Sequence, residues 1–209
     1  MDQATLRHWA QRALLIVAIL AAPAAYSEVV SDITEHPDPG TLLGNYLSGR
    51  LARGDHDTVM AADFYSRALA DDPSNEIILE QAFLLEAASA HWDRAIELAQ
   101  DLVKIEPQHR IAQFLLGCAA FKQGNWSEAD EHFTAARQGP IADLTSTLAR
   151  AWVQEASGKP DDALTTLDSL SDADWAQFYQ RYHRGLIADL SGKHDLARNA
   201  FAQAFKKNP

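Results

Sequence analysis

Cysteine is almost missing. Cys118 stands alone among 209 residues, so neither an internal disulfide nor a thiolate metal cage can form. Basic charge is short as well: 18 Lys and Arg face 29 Asp and Glu, a formal net charge of −11. That balance opposes general binding to nucleic acid or to anionic lipid, because both would be repelled over the whole surface. Enzyme signatures are absent too. The sequence has no Gly-x-Ser-x-Gly elbow, no phosphate-cradling glycine loop and no His-Glu-x-x-His pair. These gaps describe a chain expected to carry no catalytic residue, no cofactor and no metal. What is present is ordinary globular material, 47% hydrophobic and 22% charged, which excludes wholesale disorder.

Long apolar runs are confined to the start. Arg7, His8 and Arg12 precede an uncharged stretch from Ala13 to Ala22, broken by Pro23, and Ala25-Tyr26-Ser27 sets small residues before Glu28. Residues 1–27 therefore read as a secretory signal peptide, the run being shorter than the roughly 20 residues of a spanning helix. Retention as a membrane anchor is the competing reading, and only then would the protein be membrane-held. An acidic, nearly cysteine-free exported chain fits a Gram-negative periplasm better than an oxidising secreted space, where small domains carry disulfides. Residues 28–41, with Pro37, Pro39 and Gly40, read as a polar linker.

Downstream, a step of 34 organises the chain. Ala61, Ala95, Ala129, Ala163 and Ala197 recur in register, and Gly124, Gly158 and Gly192 precede the last three of them by five residues. Tyr65, Ala99, Phe133, Leu167 and Phe201 follow the alanines by four, and Pro73, Pro107 and Pro209 close three units. Within a unit the pattern is helical: Ile111, Phe114, Leu115, Cys118 and Phe121 trace one apolar stripe. Gly124 stops that helix and Asn125 with Glu128 suggests a capping box for the next, which Gln138-Gly139-Pro140 ends. Pro160 suits the first turn of its helix. Small residues at Gly49, Gly117, Ala151 and Gly185 let paired helices approach closely. The aromatic column Tyr65, Phe133 and Phe201 is then expected to insert between neighbouring units.

On these residues the chain resembles the tetratricopeptide repeat, a 34-residue helix–turn–helix unit. The third unit matches best, through Leu116, Gly117, Gly124, Ala129, Phe133 and Ala136. The resemblance implies an all-α fold, a right-handed superhelical α-solenoid over residues 42–209. Its units lie near 42–75, 76–109, 110–143, 144–177 and 178–209. The sequence departs from the repeat at His56, which replaces the turn glycine, so the first turn is expected to shift toward Gly54. It departs again at Arg150, on a normally apolar position.

The resemblance further implies that first helices line a concave face binding a protein or peptide. Its groove columns fall on Tyr46, Arg50 and Arg53 in unit one, then on Ile77, Glu80 and Leu84 in unit two. They fall on Phe114, Cys118 and Phe121 in unit three and on Leu148, Trp152 and Glu155 in unit four. Unit five contributes Tyr179, Tyr182, Leu186 and Asp189. Rigid aromatics there suit a peptide with apolar anchors. Residue by residue, the competing reading is plain packing against the adjacent unit. Cys118 itself reads as a buried, inert thiol. Metal binding is not expected, because His56, His91 and His194 sit at successive turns about 10 Å apart, and Glu128 with His132 supplies only two ligands.

The expected function is a non-enzymatic interaction scaffold of the cell envelope, helping to assemble a complex there. The alternative is a non-catalytic regulatory arm of a larger exported enzyme continuing beyond residue 209.

Overall fold

The structure, a computed structural model, describes residues 40–170 and 174–206. The leader and most of the linker expected from the sequence lie outside these residues. The described residues form ten helices and no strand: α1 (Leu42–Gly54), α2 (Thr58–Asp71), α3 (Glu76–Ala88), α4 (Trp92–Ile105) and α5 (Arg110–Gln123), then α6 (Trp126–Ala135), α7 (Pro140–Ala156), α8 (Pro160–Asp168), α9 (Asp174–Leu190) and α10 (His194–Lys206). Each helix lies against the next in sequence, and the first helices of later units also touch, α5 with α7 and α7 with α9. This is an α-solenoid of five helical hairpins, in which a unit leans only on its neighbours. None of the described helices is long and apolar enough to cross a membrane.

Polar residues start several helices. Thr41 Oγ1 accepts from Gly44 N at 3.1 Å, Asp57 from Met60 N at 3.0 Å and Asn75 from Ile78 N at 3.2 Å. His109 does the same through Nδ1, which accepts from Ala112 N at 3.2 Å. The ring proton must then sit on Nε2, toward Glu80 Oε1 at 3.5 Å. The capping box expected at Asn125 does not form. Its amide donates to Glu128 Oε2 at 3.1 Å, and its side chain caps no backbone N–H.

The turn inside every unit closes in the same way. His56, Ala90, Gly124, Gly158 and Gly192 have φ of 62°, 59°, 79°, 78° and 75°. In each unit the next residue's N–H reaches back to the preceding helix, for example Asp57 N to Ala52 O at 2.9 Å and Asn125 N to Ala120 O at 3.0 Å. The first turn is therefore in register, contrary to the shift expected from His56. The closing hydrogen bonds outweigh the roughly 1–2 kcal/mol an L side chain loses in the left-handed region. Ala90→Gly and His56→Gly are each expected to raise stability by about 1 kcal/mol, or a few degrees of Tm, in thermal melts followed by circular dichroism.

Pro140 corrects another expectation. Gly139, at φ 86°, ends the connection and Pro140 opens α7 at its first turn, where no N–H is needed. As a result α7 begins four residues before 144 and α6 keeps only 10 residues, while α9 begins at Asp174.

The aromatic column has a second contact, inside its own unit. Each ring lies over the glycine of its own unit as well as belonging to a core shared with neighbouring units. A Cβ built on Gly49 would come within 2.7 Å of the Tyr65 ring, one on Gly117 within 2.7 Å of Phe133, and one on Gly185 within 2.5 Å of Phe201. Unit two reverses the sizes, with Phe83 on its first helix and Ala99 on its second, both fully buried. Arg150 fits its position by reaching the preceding unit: Nε and Nη2 bond both oxygens of Asp130 at 2.8 and 3.2 Å. Arg184, one period later, also reaches the preceding unit, but through Nη1 alone, which donates to Asp168 Oδ1 at 2.5 Å and to Leu164 O at 3.3 Å.

Candidate functional site

The buried face of α5 is made by Ala112, Gln113, Leu116, Gly117 and Ala120. Its stripe of larger apolar residues therefore turns elsewhere. Ile111 is 49% exposed, Cys118 is exposed, and Phe114 and Leu115 are half-buried. Being apolar around most of its girth, α5 gives no periodic clue to which side meets the core, and the small residues win because they allow close helix approach.

That stripe lines a trough. A cavity of about 620 Å³ is walled by Phe83 and Ala87 of α3, Trp92, Asp93 and Ile96 of α4, and Ile111, Phe114, Leu115, Cys118, Ala119 and Lys122 of α5. A second cavity, of about 300 Å³, shares Ile111 and Phe114 and continues to Ile141, Ala142 and Ser146 of α7. Units two, three and four thus present a mainly apolar surface straddling Ile111 and Phe114. Arg110 and Lys122 border it, and Asp93 adds one negative charge. Trp92 is 55% exposed and Ile141 74% exposed. Such a surface can bury apolar side chains of a peptide between charged rims. It offers no nucleophile–base pair. Burial pushes the Cys118 thiol above its ordinary pKa, so it stays protonated at neutral pH. The residue as a whole is nonetheless exposed, where the sequence suggested burial, so the thiol is open to reagents.

Of the residues placed on groove columns, only Phe114 and Cys118 come together in this trough. Phe121 lies edge-on to Trp126, ring centres 5.3 Å apart, in the cluster around Phe133. Tyr46 stands edge-on to Tyr65 at 5.8 Å and carries Arg50 over its ring, while Arg53 donates to Gln81 in the next unit. Leu84 is half-buried against the cluster of units one to three, and Leu148 and Trp152 against that of units four and five. Tyr182 stacks on Phe178 at 5.9 Å and also meets Phe201 and Phe205. Sequence reasoning missed Ile111, Trp92, Ile96 and Lys122 as trough residues. A 34-residue step from Ile77, already placed on a groove column, leads to Ile111. Among the described residues no group of three His, Cys, Asp or Glu could hold a metal ion.

Trp152 ties two units together. Its Nε1–H donates to His183 Nδ1 at 2.9 Å, which requires that nitrogen to be unprotonated. Burial depresses the His183 pKa below its ordinary value near 6.5. The folded chain then holds this proton less well than the unfolded one, so the contribution is complete above pH 6.5 and is lost as pH falls below it. Wild type is expected to lose more Tm than His183→Phe between pH 7.5 and 5.5. Equal losses would remove the junction from the pH response.

The fold is similar to a crystal structure of MamA, with a TM-score of 0.67 and 20% identity over 79% of this chain and 91% of that one. It is also similar to MamA from Desulfovibrio magneticus RS-1, residues 41 to the end, with a TM-score of 0.66, 14% identity, and 82% and 96% coverage. A third likeness is to YrrB, described as a TPR protein with an unusual peptide-binding site: TM-score 0.64, 14% identity, 88% and 93% coverage. No curated protein matches the chain. Residues 58–209 match the tetratricopeptide repeat-like domain, and on that extent the chain belongs to this family.

Proposed function

We propose that the protein is an exported, non-catalytic interaction scaffold of the Gram-negative periplasm that holds a partner protein or peptide and helps assemble an envelope complex. The observation that carries this reading is the apolar trough across units two to four, centred on Ile111 and Phe114 and bordered by Arg110 and Lys122. Rigid rings and branched aliphatics on a fixed helical array provide contact area at little entropic loss. The peptide-binding site attributed to YrrB supports the same use of the same fold. Export rests on the leader-like residues 1–27 and on the acidic composition with one cysteine. If residues 1–27 are kept, the scaffold is membrane-held.

The test is capture from envelope extract with wild type and with Ile111→Asp. A discrete partner retained by the first and lost by the second, at unchanged helicity, supports the trough, and equal capture rejects it. Cys118 supplies an independent readout, because an occupied trough slows alkylation of the single thiol.

A further inference from the structure

The repeat itself shows where an inter-unit contact is unfilled. Position 51 of α1 recurs at Leu85, Val153 and Ile187 in later units, where exposure is 6%, 2% and 0%; Leu51 is 69% exposed. One turn earlier, Leu47 is 41% exposed, whereas its counterparts Gln81, Leu115, Ala149 and His183 are all half-buried. In units two to five these positions lie on helices that pack against a preceding unit; α1 has none among the described residues. Leu47 and Leu51 therefore form an inter-unit face without a partner among the described residues.

We infer that residues 28–36 of this chain cover that face, with Val29, Val30 and Ile33 against Leu47 and Leu51, and so cap the array. Three observations choose this occupant. The segment Glu28-Val29-Val30-Ser31-Asp32-Ile33-Thr34-Glu35-His36 holds the only cluster of large aliphatics between the leader and α1. Its charge complements the helix: it carries Glu28, Asp32 and Glu35 and no Lys or Arg, while α1 carries Arg50 and Arg53 and no acidic residue. A second copy of α1 would instead oppose arginine to arginine. Tethering is the third. Ile33 lies nine residues before Leu42, a reach of up to about 30 Å, and Leu51 sits only about 14 Å along the helix. A short tether holds the segment at millimolar effective concentration. The inference is independent of the proposed trough, and the segment is present whether or not residues 1–27 are removed.

The test uses the full chain with Cys118→Ser, so that two introduced thiols are the only ones. Ile33→Cys with Leu51→Cys is expected to close an intramolecular disulfide under mild oxidation, while Ile33→Cys with Leu190→Cys, at the far end, is not. In parallel, Ile33→Asp is expected to speed amide exchange in α1 at least about tenfold and to leave α9 and α10 unchanged. Absence of the bridge, bridging equal to the control, disulfide-linked dimers in its place, or unchanged exchange in α1 would each overturn the inference.

Discussion

Gly117→Phe is expected to destabilise the protein by about 3 kcal/mol, Phe133→Ala by about 3–5 kcal/mol, and the two together by much less than either. The first introduces a ring where even a Cβ would lie 2.7 Å from Phe133. The second empties a buried ring position, since Phe133 is 3% exposed. Combined, they rebuild in unit three the arrangement of unit two, where Phe83 comes from the first helix and Ala99 from the second. A double-mutant cycle by chemical denaturation measures the coupling, expected above about 2 kcal/mol in the restoring direction. Additive losses would show that ring and glycine do not share one space, and the account of how paired helices fit would fail.

Ile111→Asp is expected to weaken partner binding by at least about 2 kcal/mol, roughly 30-fold in Kd, while changing stability by less than about 0.5 kcal/mol. Ile111 is half exposed and lines both apolar cavities, so its side chain gives the fold little and an occupant much. It also lies in the first turn of α5, where a carboxylate faces the positive end of the helix dipole. Local structure should therefore tolerate the change. Phe114→Ala is the less clean probe, because that ring also lies 5.1 Å from Phe133 and its removal loosens unit three. Titration calorimetry against the captured partner separates the two quantities, and undiminished affinity in Ile111→Asp would remove the trough from the binding surface.

The helical array was legible because several independent demands repeat at the same step. Turns want glycine, close helices want alanine, and connections tolerate proline; chance rarely aligns all three. The exceptions share a physical cause. His56 and Ala90, standing where the other units have glycine, are opaque because a hydrogen-bonded turn holds an L residue in the left-handed region when closure is worth more than the strain. Unit two hid its exchange of large and small because a column of small residues does not announce where the bulk has moved to the other helix. Gly139-Pro140 read as a stop, although the same pair can start a helix, and α7 gained a turn that the period did not foresee. Within the site, Phe114 and Cys118 were found through the repeat register. Ile111 was visible in the same stripe but was not carried onto a groove column, and α5 is too uniformly apolar for its pattern to tell trough from core. Trp152, a groove-column aromatic, is also bonded to His183, a partner 31 residues away that no local pattern reveals.

Because each ring and the glycine beneath it belong to the same hairpin, duplication or loss of one 34-residue stretch carries both halves of the lock together. Lengthening the chain by whole hairpins then leaves every internal fit intact and asks for adjustment only at the two new seams. Tyr65 with Gly49, and Phe201 with Gly185, are the same solution at opposite ends of the array, whereas Phe83 with Ala99 is its mirror. A crossover that cut between α3 and α4 and joined halves from different hairpins would bring two large rings, or two voids, face to face.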